Sequence, residues 1–169
     1  MKHFKTLLFA GLLFIGATSF SNAQSKIAHI NTQELIKSMP AMKSAQAELE
    51  KLQKTYETEI QTMATELQNK MKQYQAEVES KTDEENAKRS QEVQGMQQSI
   101  REYQGTAQQD LQKKEFDLLK PITDKAEAAI KKVAKAQGFQ YVLDSTQGSG
   151  VLLADGKDLM ADVKKELGF

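Results

Sequence analysis

The sequence predicts a mainly α-helical protein, in which a long antiparallel coiled-coil helical hairpin is inserted into a small α+β body that serves oligomerisation. Three observations predict this fold class. Two long polar tracts each carry a narrow apolar stripe with helical spacing. A polar segment without an apolar face separates the two stripes. Short strand-like segments lie near both ends of the chain.

The N-terminus has the outline of a signal peptide. Lys2 and Lys5 precede an apolar run over residues 6–20, which is about 15 residues long and shorter than the roughly 20 needed to span a bilayer. The small residues Ser21 and Ala23 then stand where a signal peptidase reads the chain. We expect residues 1–23 to be removed by cleavage after Ala23. An uncleaved signal anchor is the alternative, and the glycines and polar residues around the run disfavour it.

Charge and composition exclude several function classes. Removal of Lys2 and Lys5 leaves 21 basic against 23 acidic residues, so the predicted mature chain offers no electrostatic basis for binding nucleic acid. The chain has no cysteine, which excludes disulfides, thiolate catalysis and most structural zinc sites. It also has no tryptophan and only two prolines, a composition that suits a long helix more than a globule.

The apolar stripes predict the two helices of an arm over residues 46–119. Apolar residues of the first stripe recur in steps of four, three and four, an eleven-residue repeat close to the period of a straight helix. This stripe comprises Ala45, Leu49, Leu52, Tyr56, Ile60, Met63, Leu67, Met71, Tyr74 and Val78. The second comprises Val93, Met96, Ile100, Tyr103, Ala107, Leu111, Leu118, Ile122, Ala126, Ala129 and Val133.

A tip is predicted between the stripes, over residues 81–89. Thr82 is followed by Glu85 at the spacing of a capping box, which indicates that a second helix begins there. A single continuous helix remains the alternative, because no glycine or proline enforces a reversal of the chain.

Both chain ends contribute to the predicted body, residues 24–45 and 120–169. Residues 26–30 alternate weakly and predict a strand, after which Asn31 caps a helix with Glu34 in its first turn. Pro40 suits the first turn of the long helix, and Gly138 suits the end of its partner.

The remaining segments predict a strand pair and a final helix. Residues 139–143 read as one strand, residues 147–150 as a hairpin turn and residues 151–153 as the returning strand. Asp155 is expected to cap a last helix, whose inner side carries Leu159, Met160, Val163 and Leu167.

Four segments carry a resemblance to the OmpH-like, or Skp, family of periplasmic chaperones. They are Ser38-Met39-Pro40 before Ala45-Gln46-Ala47-Glu48-Leu49, Leu118-Leu119-Lys120-Pro121-Ile122, Gly138-Phe139-Gln140-Tyr141-Val142-Leu143-Asp144, and the closing Asp158-Leu159 helix. The resemblance implies a homotrimer with a central β-structured body, from which three arms surround a cavity. It further implies that unfolded outer-membrane β-barrel proteins are held there, in the periplasm, without ATP. The oligomerisation residues would be those on the predicted strands: Ile27, Ile30, Tyr141, Leu143, Val151 and Leu153.

Residues for client binding and arm movement follow from the composition of the arm. Methionine side chains adapt to varied partners, which makes Met63, Met71 and Met96 candidates for client binding; they equally suit ordinary packing between the helices. Pro121 removes one backbone hydrogen bond from a helix, and we expect it to act as a hinge between arm and body.

No enzyme, metal or cofactor chemistry is predicted. The sequence contains no phosphate-binding loop, and no nucleophile, base and orienting acid can be assembled. His29 is the one histidine of the predicted mature chain and is expected to be a packed or surface residue rather than a ligand. Asp83-Glu84-Glu85 lacks the spacing of a calcium loop.

Two rival function classes remain open. One is a structural or adaptor hairpin of the cell envelope, which would require a docking motif at the tip. The other is a protein that binds lipid or polysaccharide, which would require a basic or aromatic patch. Because basic and acidic residues are interleaved near the tip and the chain is nearly neutral, membrane or lipopolysaccharide contact has little support.

Overall fold

The computed structural model of the protein describes residues 26–169; the predicted signal peptide, residues 1–23, and its cleavage position Ala23 lie outside the described residues. Three short strands and four helices follow one another along this part of the chain. Their order is β1 (Ile27–Ile30), α1 (Thr32–Ser38), α2 (Pro40–Glu77), a 3-10 turn (Val78–Ser80), α3 (Asp83–Ala136), β2 (Tyr141–Asp144), β3 (Lys157–Asp158) and α4 (Met160–Leu167).

The helical hairpin is confirmed, with its reversal slightly earlier than the predicted tip. The chain turns between Val78 and Thr82, so that residues 83–89 form the first turns of α3. Thr82 Oγ1 accepts from the backbone N–H of Glu85 at 3.2 Å, and a Glu85 carboxylate oxygen accepts from the Thr82 N–H at 3.0 Å. This capping box satisfies donors that a helix start leaves unpaired, and it ends the alternative of one continuous helix.

The apolar stripes face each other along the arm, but they form only a thin seam. Most stripe residues of the arm are half-buried, and among the described residues 46–119 only Ala107 is buried. Met71 and Val78, near the tip, each expose almost half of their surface. The arm therefore has very little core of its own, as a narrow stripe dictates.

The body is built on a parallel sheet with β1 in the centre. The strand order is β2-β1-β3, with Ile27 opposite Tyr141 and His29 opposite both Leu143 and Asp158. The parallel direction of β2 relative to β1 follows from the hairpin. The chain leaves the sheet at the end of β1 through α2, and α3 returns it to the level at which β1 began. Strand β1 and the capping of α1 by Asn31 are confirmed, since Asn31 Oδ1 accepts from the Glu34 N–H at 2.9 Å.

Strand β2 begins two residues later than predicted, because the capping motif that follows α3 takes up the chain as far as Phe139. Gly138 adopts a φ of +73°, and the Phe139 N–H donates to the Ala134 carbonyl at 2.9 Å. Together with the 3.1 Å bond from the Gly138 N–H to the Lys135 carbonyl, this is a Schellman motif, which confirms the glycine stop.

The predicted strand at residues 151–153, its hairpin turn and the Asp155 cap are wrong for the single chain. The turn around Gly148 leads into a loop without regular structure, and Lys157–Asp158 supplies the third strand instead. The reason lies in Leu159, which is fully buried while its N–H donates to the His29 carbonyl at 3.0 Å. This burial and this hydrogen bond fix the pairing of Asp158 with His29, two residues before α4 begins. The first N–H of α4, that of Met160, donates to Asp158 Oδ1 at 2.8 Å.

The core lies almost entirely in the body, between the sheet, α1, α4 and the body end of the hairpin. Leu159, which precedes the last helix, and Val163 within it have no exposed surface, and Met160 and Leu167 pack beside them, as predicted. The buried core residues are Ala28, Ile30, Leu35, Met39, Ala45, Ile122, Ala126, Ala129, Val133, Ala134, Leu159 and Val163.

Candidate functional site

One face of the sheet is left open and apolar. Ile27, Tyr141 and Leu143 stand on neighbouring strands, and all three side chains are exposed, Tyr141 by 62%. Ile30 does not join them, because it points to the opposite face and is 1% exposed in the core of its own chain. The structure thus brings together three of the six residues predicted for oligomerisation.

The loop between β2 and β3 presents two leucines to solvent. Leu152 is 100% exposed, and Leu153 is largely exposed, whereas Val151 is half-buried. Leu152 was missed by the sequence reasoning, because an alternating strand would have turned it away from Val151 and Leu153. A loop with two exposed leucines is a surface that another polypeptide can cover.

Polar contacts hold both ends of this loop. His29 Nδ1 lies 3.3 Å from Ser145 Oγ, and His29 Nε2 lies 3.2 Å from the Gly156 carbonyl oxygen. Burial raises the pKa of Asp144, but hydrogen bonds donated by the hydroxyl and N–H groups of Thr146 and Thr32 outweigh it and lower the pKa to about 2. These contacts therefore fix both ends of the loop that carries the exposed leucines.

Polar side chains cross the seam of the arm at intervals. Tyr56 donates to Asp110 Oδ2 at 2.6 Å, Lys114 pairs with Glu48 at 2.9 Å, and Arg89 pairs with Glu77 at 2.5 Å. Lys70 and Tyr74 both contact Glu92. Hydrogen bonds from Arg89 lower the pKa of Glu77, and those from Lys70 and Tyr74 lower the pKa of Glu92. Ion pairs and phenol contacts thus supplement the sparse apolar packing.

The structure brings two of the three candidate methionines together. Met63 and Met96 line one groove with Ile100 and Gly95, and a Cβ added at Gly95 would meet no atom within 4 Å. Met71 lies in a separate groove toward the tip, with Val78 and Val93. The pairing of Met63 with Met96 fits both an adaptable binding surface and ordinary seam packing.

Pro121 lies inside α3, which is helical on both sides of it from Asp83 to Ala136. Its missing N–H leaves the Asp117 carbonyl without the usual helical donor. Nearby, Thr123 Oγ1 donates to the Lys120 carbonyl at 2.8 Å. The residue stands at the junction of arm and body, between the half-buried Leu118 and the buried Ile122.

Phe116 is a second exposed residue that the sequence reasoning missed. Its ring is 64% exposed on α3, near the body end of the arm. It falls outside the apolar stripes, and this off-stripe position is the signal that could have revealed it.

The described residues contain no cluster of three or more side chains suited to hold a metal ion. Within residues 26–169, no helix combines the length and the apolarity needed to cross a membrane.

Comparison with known proteins decides the family. A family model described as outer membrane protein (OmpH-like) matches residues 26–167, essentially all of the described chain. The chain belongs to the OmpH-like family. This confirms the resemblance carried by the four sequence segments.

Two individual proteins agree with the family assignment. The OmpH-like chain is 27% identical over 164 residues to the chaperone protein Skp of Pectobacterium atrosepticum, covering 96% of this chain and 98% of that protein. It also superposes on a crystal structure from Caulobacter crescentus CB15 that carries the name OmpH-like outer membrane chaperone. The TM-score is 0.76 at 17% identity, with 86% of this chain and 85% of that chain covered. The second likeness confirms the fold of a long helical hairpin on a small sheet.

Proposed function

We propose that this OmpH-like protein is an ATP-independent periplasmic holdase chaperone, not an enzyme, which binds unfolded outer-membrane β-barrel proteins between its helical arms and prevents their aggregation. The observation that carries the proposal is the division between a packed body and an arm with almost no core. A relative named as the chaperone Skp, aligned over nearly its whole length, supports the same function.

The arm suits a client that has no fixed shape. Its half-buried seam can open and repack at low cost, because few apolar contacts are lost. Methionines such as Met63 and Met96 offer flexible, polarisable contacts to different sequences. Holding needs many weak contacts and no chemical step, so neither a nucleotide nor a metal is required.

The body suits self-association, and we propose that it forms a homotrimer. The open sheet face of Ile27, Tyr141 and Leu143 and the exposed Leu152 and Leu153 are apolar surfaces that one chain leaves uncovered. Strands β2 and β3 are the two edges of the described sheet, and each edge carries unpaired backbone groups. A neighbouring chain can satisfy these edges, and residues 151–153, which belong to no strand of the single chain, can add to an edge as a strand.

Light scattering of the purified mature protein tests the assembly. We expect three times the monomer mass, and Leu152→Asp with Leu153→Asp should reduce it because two charges would be buried at the contact. A matched control is Leu67→Asp on the arm, which should leave the mass unchanged. A monomer mass for the unaltered protein would contradict the cage of three arms while leaving the hairpin intact.

Turbidity of a denatured β-barrel protein after dilution tests the holdase activity. The mature protein should suppress aggregation without nucleotide, near one oligomer per client. A variant in which a short glycine-serine loop replaces residues 60–107 should lose the activity and keep its oligomeric mass. Equal suppression by both forms would place the binding surface on the body.

A structural or adaptor function remains the alternative, favoured by the exposed Met71 and Val78 near the tip. It predicts that neither the full protein nor the shortened form suppresses turbidity. In that case a charged substitution at Met71 should instead block docking of the tip to another envelope protein.

A further inference from the structure

Strand β2 lies at the edge of the described sheet and carries apolar residues on both faces. Tyr141 and Leu143 point to the open face of the sheet, and Val142 between them points to the opposite face, toward α3. Exposed edge strands usually carry charged or polar side chains that discourage pairing, whereas apolar residues on both faces are typical of a strand with a neighbour on each side. The pattern of β2 therefore predicts a further strand beside it.

The backbone groups available for that pairing belong to Val142. The Tyr141 N–H donates to the Lys26 carbonyl at 3.4 Å. The Ser145 N–H donates to the Ile30 carbonyl at 2.9 Å, so the odd-numbered residues of this segment face β1. Because successive residues of a strand turn their backbone groups to opposite edges, Val142 turns its N–H and its carbonyl to the free edge of β2.

A groove of about 380 Å³ runs along this free edge, between β2 and the body end of α3. Its apolar lining comes from both elements and includes the half-buried Ile130, Phe139 and Val142. Two of the charged groups at its rim are already partnered, since Lys131 pairs with Glu127 and the Asp144 carboxylate accepts from the Thr32 hydroxyl at 2.7 Å. The groove therefore suits an uncharged apolar side chain.

Residues 151–153 have the apolar pattern that fits this edge. In an added strand, the outer two of these residues would lie on one face and Leu152 on the other. Strand β2 offers two apolar residues on its open face, Tyr141 and Leu143, and a single one, Val142, on the face of the groove. Placing Leu152 in the groove sets apolar residues opposite apolar residues on both faces, and it covers a side chain that is 100% exposed in the single chain.

Within one chain, residues 151–153 are held away from this edge. Three residues after Leu153, the Gly156 carbonyl lies 3.2 Å from His29 Nε2 on the central strand. Lys157 then pairs beside Ala28 as β3, on the side of β1 opposite to β2. Pairing of the segment with its own β2 would have to break these contacts, so a second copy is the source of the added strand.

The other edge of the described sheet is a poor acceptor. Strand β3 has only two residues, Lys157 and Asp158, and both are exposed and charged. Lys157 also pairs with Asp162 at 2.9 Å. Charged side chains on a short edge strand oppose the addition of another strand, which leaves β2 as the accepting edge.

We propose that residues 151–153 of one subunit add as a strand to the free edge of β2 in the next subunit, with Leu152 in the groove between β2 and α3. The inference rests on the proposed homotrimer and deepens it, because it assigns both halves of the contact and selects one of the two edges. Each subunit gives one segment and receives one. Such a head-to-tail contact forms a closed ring when the rotation between subunits permits it.

Engineered disulfides test the contact, since the chain has no cysteine of its own. After oxidation, the full mature protein with Leu152→Cys and Val142→Cys should run mainly as a covalent trimer on a non-reducing denaturing gel, because every subunit is linked to the next. Leu152→Cys with Lys157→Cys is the matched control on the other edge, and it should give no covalent oligomer. Linkage in this control, or a monomer band from the first variant, would overturn the inference.

Photocrosslinking gives a second test that does not depend on the cysteine variants. A benzophenone side chain at position 152 should form adducts with residues 130–142 of another subunit, identified by mass spectrometry. Adducts within the same chain, or with β3 of another subunit, would overturn the inference. If light scattering of the unaltered protein still returned three times the monomer mass, the proposed homotrimer would stand. A monomer mass would overturn both.

Discussion

Tyr56 and Asp110 lie 54 residues apart in the sequence and are joined by a 2.6 Å hydrogen bond across the arm, donated by the phenol to a carboxylate oxygen. Asp110 raises the pKa of Tyr56 by accepting this bond. The ring of Tyr56 also meets the edge of Tyr103 at a centroid distance of 6.0 Å. The pair thus ties α2 to α3 at a point where apolar packing is thin.

Loss of the Tyr56 hydroxyl should loosen the arm locally. Tyr56→Phe keeps the ring and removes the donor to Asp110, so amide hydrogen exchange should become a few-fold faster around the contact and stay unchanged in the sheet. Tyr103→Phe, which alters the neighbouring ring in the same way, is the control and should have little effect. Unchanged exchange in Tyr56→Phe would show that the bond adds nothing to the closure of the arm.

Acid should open the arm. The pKa values of Glu77 and Glu92 are lowered from 4.5 by donors across the hairpin, so their contribution to stability is complete above pH 4.5 and is lost as the pH falls through the lowered values. A pair of distance-reporting labels on α2 and α3 should show separation below pH 4.5 and no change between pH 6 and 8. Glu92→Gln should weaken the acid response, and separation that begins at pH 6 would point to other groups.

The two glycines inside α3 should set the flexibility of the arm. A side chain added at Gly95 or Gly105 meets nothing within 4 Å, so Gly95→Ala and Gly105→Ala should each stabilise the protein by about 1 kcal/mol. Chemical denaturation measures the gain. Gly138→Ala, at a φ of +73°, is the contrasting variant and should destabilise it by a similar amount.

Core truncation should distinguish body from arm. Leu35 is fully buried, and Leu35→Ala should cost about 2–5 kcal/mol in the free energy of unfolding. Leu67→Ala makes the same chemical change in the half-buried seam and should cost clearly less. Equal losses would mean that the arm carries more of the stability than its burial indicates.

Pro121 is expected to act as a hinge, although it lies within an uninterrupted helical segment. Pro121→Ala restores a donor for the Asp117 carbonyl and should stabilise α3 by on the order of 1–3 kcal/mol. If splaying of the arms admits clients, this variant should also hold large clients less well than small ones. Unchanged holding across client sizes would argue against the hinge.

Local signals carried the successful part of the sequence prediction. The caps at Asn31, Thr82 and Gly138 depend on residues within a turn of one another, and the structure places all three as expected. Prediction of the two apolar stripes likewise required only the helical spacing of their residues. The polar segment and the capping box between them predicted the hairpin, and a single continuous helix remained open until the structure excluded it.

Long-range contacts account for what the sequence did not reveal. Strand β3 is placed by the burial of Leu159 and its bond to the His29 carbonyl, which no local pattern encodes. The sequence analysis grouped Ile27 and Ile30 as oligomerisation residues, and only the packed body showed that Ile30 faces the core. Phe116 stood apart from the stripe in the sequence, but only the structure showed that no other element covers its ring.

The parallel pairing of Ile27 with Tyr141 has a kinetic consequence. Strand β1 can pair with β2 only after the chain has closed a loop that contains the whole hairpin. Direct closure of so long a loop is slow. If the arm zips first, through contacts between its own two helices, it brings the start of α2 beside the part of α3 around Ile122 and shortens the search. The hairpin would then be a folding template for the sheet, and lesions in the arm should slow refolding of the body without altering its final structure.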